Sequence, residues 1–254
     1  MTAEEVARTP FPRLVVRQSS KQIGARLARS PQQGADFVRR RALAGSVEAQ
    51  IGFGHMLLDG YGVERDPEAA VRWFNLAAKQ GHADAFNMLG RCYEHGWGVE
   101  IHLPRAAYWY ARGAKESHAW AQFNLASLML TRDVETDMAK ALSLLVASAR
   151  AGNPKAMNML GRWREQGWDG RARAQSATLW FRLAAEGGCY RGQFHYGRLL
   201  ACDGKIAEAA RWLRSSLTQA PPDFAREGAA ILQQHPSKRL RAIADEALAG
   251  AEAR

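Results

Sequence analysis

The side chains with chemical reach in this 254-residue sequence are three cysteines, seven histidines and a recurring set of Asn, Arg and Glu. Cys92 and His95 stand three apart, a spacing that would offer two metal ligands from one helix. Zinc takes about four ligands in paired spacing, and no second pair follows. Cys92 is better read as a small buried hydrophobe. The histidines at 55, 82, 95, 102, 118, 195 and 235 form no triad and no H-E-x-x-H. His82 and His118 share a position in a repeat, which points to helix capping. Gly60-Tyr61-Gly62 and Gly96-Trp97-Gly98 look like phosphate loops, but they follow no strand and no G-K-[ST] comes after them. No G-x-S-x-G occurs, and no two carboxylates stand out as acid and base. The expectation is a non-enzyme with no catalytic residue, no metal and no cofactor.

What does recur is Asn87, Arg91 and Glu94, which return as Asn158, Arg162 and Glu165, with Arg198 at a third copy of the Arg position. Asn offers both a donor and an acceptor, and Arg a five-donor fork. A row of Arg91, Arg162 and Arg198 could clamp acidic side chains or the free carboxylate of a peptide. The alternative is a set of Arg–Glu (i, i+3) pairs on a solvated helix face.

These side chains need elements to hold them, and the elements come from a repeat. Gly45–Gln80 lies over Gly81–Glu116, both 36 residues long, and the frame continues as Ser117–Ala151, Gly152–Gly187 and Gly188 to about Ala220. Position 5 is Ala49, Ala85, Ala121, Ala156 and Gly192; position 10 is Gly54, Gly90, Ala126, Gly161 and Gly197. Small residues there let two helices approach closely. Position 9 (Phe53, Leu89, Leu125, Leu160, Tyr196) and position 12 (Met56, Cys92, Leu128, Trp163, Leu199) share one helical face with them. A second helix carries Ala70, Ala106, Ala141, Ala177 and Ala209, followed by Trp73, Trp109, Leu144, Trp180 and Trp212, which are expected to fill one core position. Asp66 and Asp137 can cap second helices, and Gly81, Gly152 and Gly188 stop them. Each copy is a helical hairpin that buries its apolar face only by stacking on its neighbours.

The run A-x3-L-G-x8-G-V-x2-D-x3-A-x2-W-x4-A-A-x2-G resembles the Sel-one-like repeats, a branch of the tetratricopeptide superfamily. The resemblance covers Gly45 to about Ala220 and is best in the first two copies. It implies an all-α fold, an α-solenoid wound as a right-handed superhelix. It also implies a scaffold or adaptor that binds a protein or peptide, with the first helices lining a concave groove. Carried over by repeat position, the groove takes positions 4, 7, 11, 14 and 15: Asn87, Arg91, Glu94, His95, Trp120, Phe123, Asn158, Arg162, Glu165 and Arg198. Trp120 and Phe123 form an aromatic pair there. The third copy lacks the Gly-x-Gly loop, the fourth has Arg173 where others have an Asp cap, and the fifth has a shorter loop near Gly204.

The flanks read as caps. Residues 1–18 are expected to be flexible. A divergent repeat spans 19–44, with a helix from Pro31, and 221–254 form two capping helices, the first capped by Asp223. The net charge of +10 is unevenly spread: +6 over 1–44, −2 over 45–151, +6 over 152–220 and zero beyond. That leaves a polarised surface. Nucleic-acid binding through the basic N-terminal flank and 152–220 is an alternative function but a disfavoured one. An accessory subunit of an enzyme is another. No apolar run is long enough to span a membrane, and no secretory signal is evident. Three scattered cysteines suit a reducing compartment, so a cytoplasmic location is expected and a Cys189–Cys202 disulfide is disfavoured.

Overall fold

The computed structural model describes residues 30–131, 137–168 and 170–252. Among them, thirteen α-helices follow one another and no strand occurs. The first is α1 (Pro31–Leu43). Then come five pairs: α2 (Val47–Asp59) with α3 (Pro67–Lys79), α4 (Ala83–His95) with α5 (Leu103–Lys115), and α6 (Ala119–Thr131) with α7 (Met138–Arg150). The fourth and fifth are α8 (Pro154–Gln166) with α9 (Ala174–Glu186), and α10 (Tyr190–Cys202) with α11 (Ile206–Gln219). The array ends in α12 (Pro222–Gln233) and α13 (Lys238–Glu252). Consecutive helices pack on each other, and first helices of adjacent copies also touch, α4 on α6 and α8 on α10. The fold is an all-α solenoid.

Local chemistry sets the helix ends. Asp66 Oδ1 accepts the Ala69 amide at 2.8 Å, and Asp137 Oδ1 accepts that of Lys140 at 3.0 Å. His118 caps α6 through Nδ1, 3.1 Å from the Ala121 amide, whereas His82 makes no such bond at the head of α4. Arg173 makes no side-chain cap at α9. Its copy closes like the first and second all the same: the amides of Asp66, His102 and Arg173 donate to Leu57, Tyr93 and Arg164 carbonyls at 2.9, 2.8 and 2.7 Å. One backbone bond therefore fixes the hairpin base whatever side chain stands there.

The core differs from the sequence expectation in one respect. The fully buried side chains of the second helices are Phe74, Tyr110, Leu145, Phe181 and Leu213, each 0% exposed. Four of these follow directly after the tryptophans expected to fill that position. Trp73, Trp109, Trp180 and Trp212 are only half-buried. Adjacent residues point about 100° apart around a helix, and the deeper direction belongs to the later residue. The position-10 glycines make room for it: a Cβ on Gly54, Gly90 or Gly161 would lie 2.5, 2.4 or 2.5 Å from Phe74, Tyr110 or Phe181. The tryptophans flank this contact, Trp73 edge-on to Phe53 at 5.5 Å and Trp109 stacked on Phe86 at 5.9 Å. Trp163 is the tryptophan in the core, 2% exposed.

The loops also join neighbouring copies. Gly98 has φ +69°, and a Cβ on it would meet the Pro67 carbonyl oxygen at 2.2 Å; on Gly62 it would meet that of Pro31 at 2.1 Å. These two loops thus rest on the start of the helix that precedes their own copy, a contact only glycine admits.

The expected flexible segment 1–18 and the helix anticipated over 19–29 lie outside the described residues, as does the third loop at 132–136. At α12 the N-cap is Pro221 and not Asp223, which sits in the first turn and pairs with Arg226 at 2.6 Å. Cys189 and Cys202 stand at opposite ends of α10. At 1.5 Å rise per residue they are about 20 Å apart along the axis, far beyond disulfide reach.

Candidate functional site

Helices α2, α4, α6 and α8 present their exposed faces to a groove of about 570 Å³. Asn87 is 8% exposed within it, and its Oδ1 accepts a hydrogen bond from Asn124 Nδ2 at 2.8 Å. This bond ties α4 to α6. The Arg91 guanidinium lies 4.7 Å over the Trp97 ring. Trp97 comes from the loop after α4, so the loop that registers the copies also supports a cation in the groove. His95 tilts against the same ring at 4.9 Å.

Trp120 stands 42% exposed at the groove's other side. Lys155 Nζ lies 5.5 Å from its ring, and Phe123 meets it edge-on at 6.3 Å. Asp84 Oδ1 lies 2.7 Å from His118 Nε2. Because His118 Nδ1 already accepts the Ala121 amide, the ring proton sits on Nε2 and is donated to the carboxylate. His55 completes the lining, and burial holds its pKa below the ordinary histidine range. The groove thus combines an aromatic platform, fixed cations at Arg91 and Lys155, one carboxylate and a paired amide.

Of the sequence-predicted residues, Asn87, Arg91, His95 and Trp120 line this groove. Phe123 is half-buried and packs on the core around Trp163. Glu94 is turned away, its Oε2 accepting the Tyr110 hydroxyl at 2.6 Å. Burial, together with Glu94, pushes the Tyr110 pKa far up. Asn158, Arg162, Glu165 and Arg198 sit further along, on α8 and α10. There Glu165 is paired with Arg198, and Arg162 lies 5.7 Å over Trp168. Asn158 is buried with Oδ1 unpartnered. The two Asn-Arg-Glu sets differ for a visible reason. Phe181 stands where the second copy has Tyr110, so Glu165 finds no hydroxyl and takes a cation from the next copy.

Asp84, Met88, Asn124 and Lys155 also line the groove without having been expected there, as does His118, which the sequence marked only as a helix cap. Asp84 and Lys155 share position 4 with Trp120, and Met88 and Asn124 lie one turn on, so the repeat frame held the signal. Cys92 is fully buried, and desolvation pushes its thiol up to about 12. No thiolate is available there as nucleophile or ligand. Among the described residues no group of three or more His, Cys, Asp or Glu could hold a metal ion. No helix among them is long and apolar enough to cross a membrane.

The Sel1 repeat model matches residues 47–82, 83–118, 121–153 and 154–189. No curated protein sequence matches the chain. The fold is similar to a Sel1 repeat protein from Oxalobacter formigenes, with 20% identity, TM-score 0.75, and 91% of this chain and 98% of that one covered. A putative sel1 repeat protein from Klebsiella pneumoniae aligns at 20% identity and TM-score 0.53, covering 78% of this chain and 98% of that one. The immunity protein Pa5087 from Pseudomonas aeruginosa aligns at 16% identity and TM-score 0.55, covering 82% of each chain. At these identities the likeness is one of fold. The four matched segments span more than half of the sequence and coincide with the helical pairs from α2 to α9, and the chain belongs to the Sel1 repeat family.

Proposed function

We propose that this protein is a non-enzymatic scaffold whose groove across α2, α4, α6 and α8 seats a protein or peptide partner bearing an acidic side chain or a free carboxylate. The observation that carries this reading is the groove itself. It brings Arg91, and Lys155 beside the half-exposed Trp120, into one space of about 570 Å³. A carboxylate there meets cations already oriented by aromatic rings, and a neighbouring apolar side chain meets the Trp120 face. Extended curved surfaces of stacked repeats suit this task.

The test is affinity capture from the native cell, read by mass spectrometry, with the wild-type chain and an Arg91→Glu/Lys155→Glu variant. Both residues sit in the groove lining and outside the core, so helicity and melting temperature are expected to stay the same. Captured partner is expected to fall at least about tenfold, because like charges now face each other across the interface. Undiminished capture would remove the groove as the seat. A variant that melts early would make the cations structural.

A further inference from the structure

The first helices carry a change of sign along the array. Position 4, read copy by copy, is Glu48, Asp84, Trp120, Lys155 and Arg191. Asp84, Trp120 and Lys155 line one groove, so acid, aromatic and base meet a ligand in that order. Glu48, Lys155 and Arg191 are exposed. Internal pairing reaches both ends. Glu165, the acid of the basic end, is paired with Arg198, while at the acidic end Glu94 accepts the Tyr110 hydroxyl outside the groove lining and Asp84 accepts from His118 Nε2 within it. Arg91 lines the same groove seven residues after Asp84, two turns or about 10 Å along α4, and so stands at a different level from the position-4 row.

We propose that the ligand of this groove is an extended peptide of two signs, with a basic residue over Glu48 and Asp84, an apolar or aromatic residue on Trp120, and an acidic residue at Lys155 and Arg191. This rests on the groove being the seat of the partner and goes further by fixing the pattern. Neighbouring helices pack about 8–10 Å apart, and an extended chain advances about 3.3–3.6 Å per residue. One repeat therefore corresponds to about three ligand residues. The two opposite charges fall about six residues apart, with the apolar residue midway. A peptide of one sign would set like charges together at one end, which penalises wrong partners.

The experiment selects random dodecapeptides displayed on phage against the full chain at low salt. It then measures synthetic fluorescent copies by anisotropy. Expected are sequences with one basic and one acidic residue about six positions apart around an apolar one. Replacing the basic residue of such a peptide by Glu should weaken binding roughly tenfold, as two repulsive contacts replace two attractive surface pairs. Lys155→Glu should abolish the preference for the acidic residue, and Asp84→Asn should weaken that for the basic one. Enrichment of acidic residues alone, with binding still sensitive to Lys155→Glu, overturns the two-sign pattern and leaves the groove as the seat. No enrichment, or binding indifferent to Trp120→Ala and Lys155→Glu alike, overturns both.

Discussion

Tyr110 and Phe181 occupy equivalent positions and differ by one hydroxyl, and that oxygen decides where a carboxylate of the same copy points. His195 shows the same sensitivity to its surroundings. Its ring stacks on Phe181 at 4.7 Å, and its Nδ1 is buried without a partner. Burial first, then the nearby Arg198, lower its pKa to about 4, with Glu165 opposing and Arg162 and Arg191 adding to the fall. The unfolded chain binds this proton near pH 6.5 and the folded chain only near 4, so between those values the unfolded state holds more protons. Stability contributed by the neutral ring is complete above pH 6.5 and is lost as pH falls toward 4, by about 3 kcal/mol in all. Urea melts of the wild type and of His195→Leu across pH 4–7 check this, and the variant should show a shallower decline. If both decline in parallel, His195 is not the group responsible.

At the scale of helices and loops, the stacking contact depends on backbone that no side chain may enter. Gly98→Ala would place a Cβ 2.2 Å from the Pro67 carbonyl oxygen at a positive φ, whereas Gly81→Ala, at φ +83°, meets nothing within 4 Å. Both variants carry the left-handed strain of about 1 kcal/mol. Gly98→Ala should cost at least about 2 kcal/mol more, since the loop must lift off its neighbour. Chemical denaturation of the two variants gives the difference, and equal losses would show that the loop is not wedged. The helices were legible in the sequence because caps and small residues recur in register, as Asp66 and Asp137 do. The depth of each residue was less so. Spacing alone does not choose between Trp109 and Tyr110 on α5; the space left by Gly90 on α4, where a Cβ would lie 2.4 Å from the Tyr110 ring, takes Tyr110. The groove residues were half legible for the same reason. Position 4 gave Trp120 from its type alone, while Asp84 and Lys155 look like ordinary surface charges until the helices are set side by side. The fate of Glu94 depended on a hydroxyl sixteen residues away on another helix.

As a whole, the molecule is a chain of nearest-neighbour contacts, and the glycines of its loops differ in what surrounds them. The first two loops are clamped to the copy before them through Gly62 and Gly98. In the fourth loop Gly170 faces open space: a Cβ on it would meet nothing within 4 Å, while below it the Arg173 amide closes the hairpin on Arg164 at 2.7 Å. Gly170 therefore offers a port where foreign chain could enter. A ten-residue epitope inserted after Gly170 should leave the melting temperature nearly unchanged, because lengthening a free loop costs on the order of 1 kcal/mol or less. The same insert after Tyr61 should unseat the first copy. Thermal melts of the two fusions decide it, and comparable losses would show that the fourth loop is also part of the stack. Through that port the scaffold could acquire a passenger segment while every repeat beneath it keeps its place.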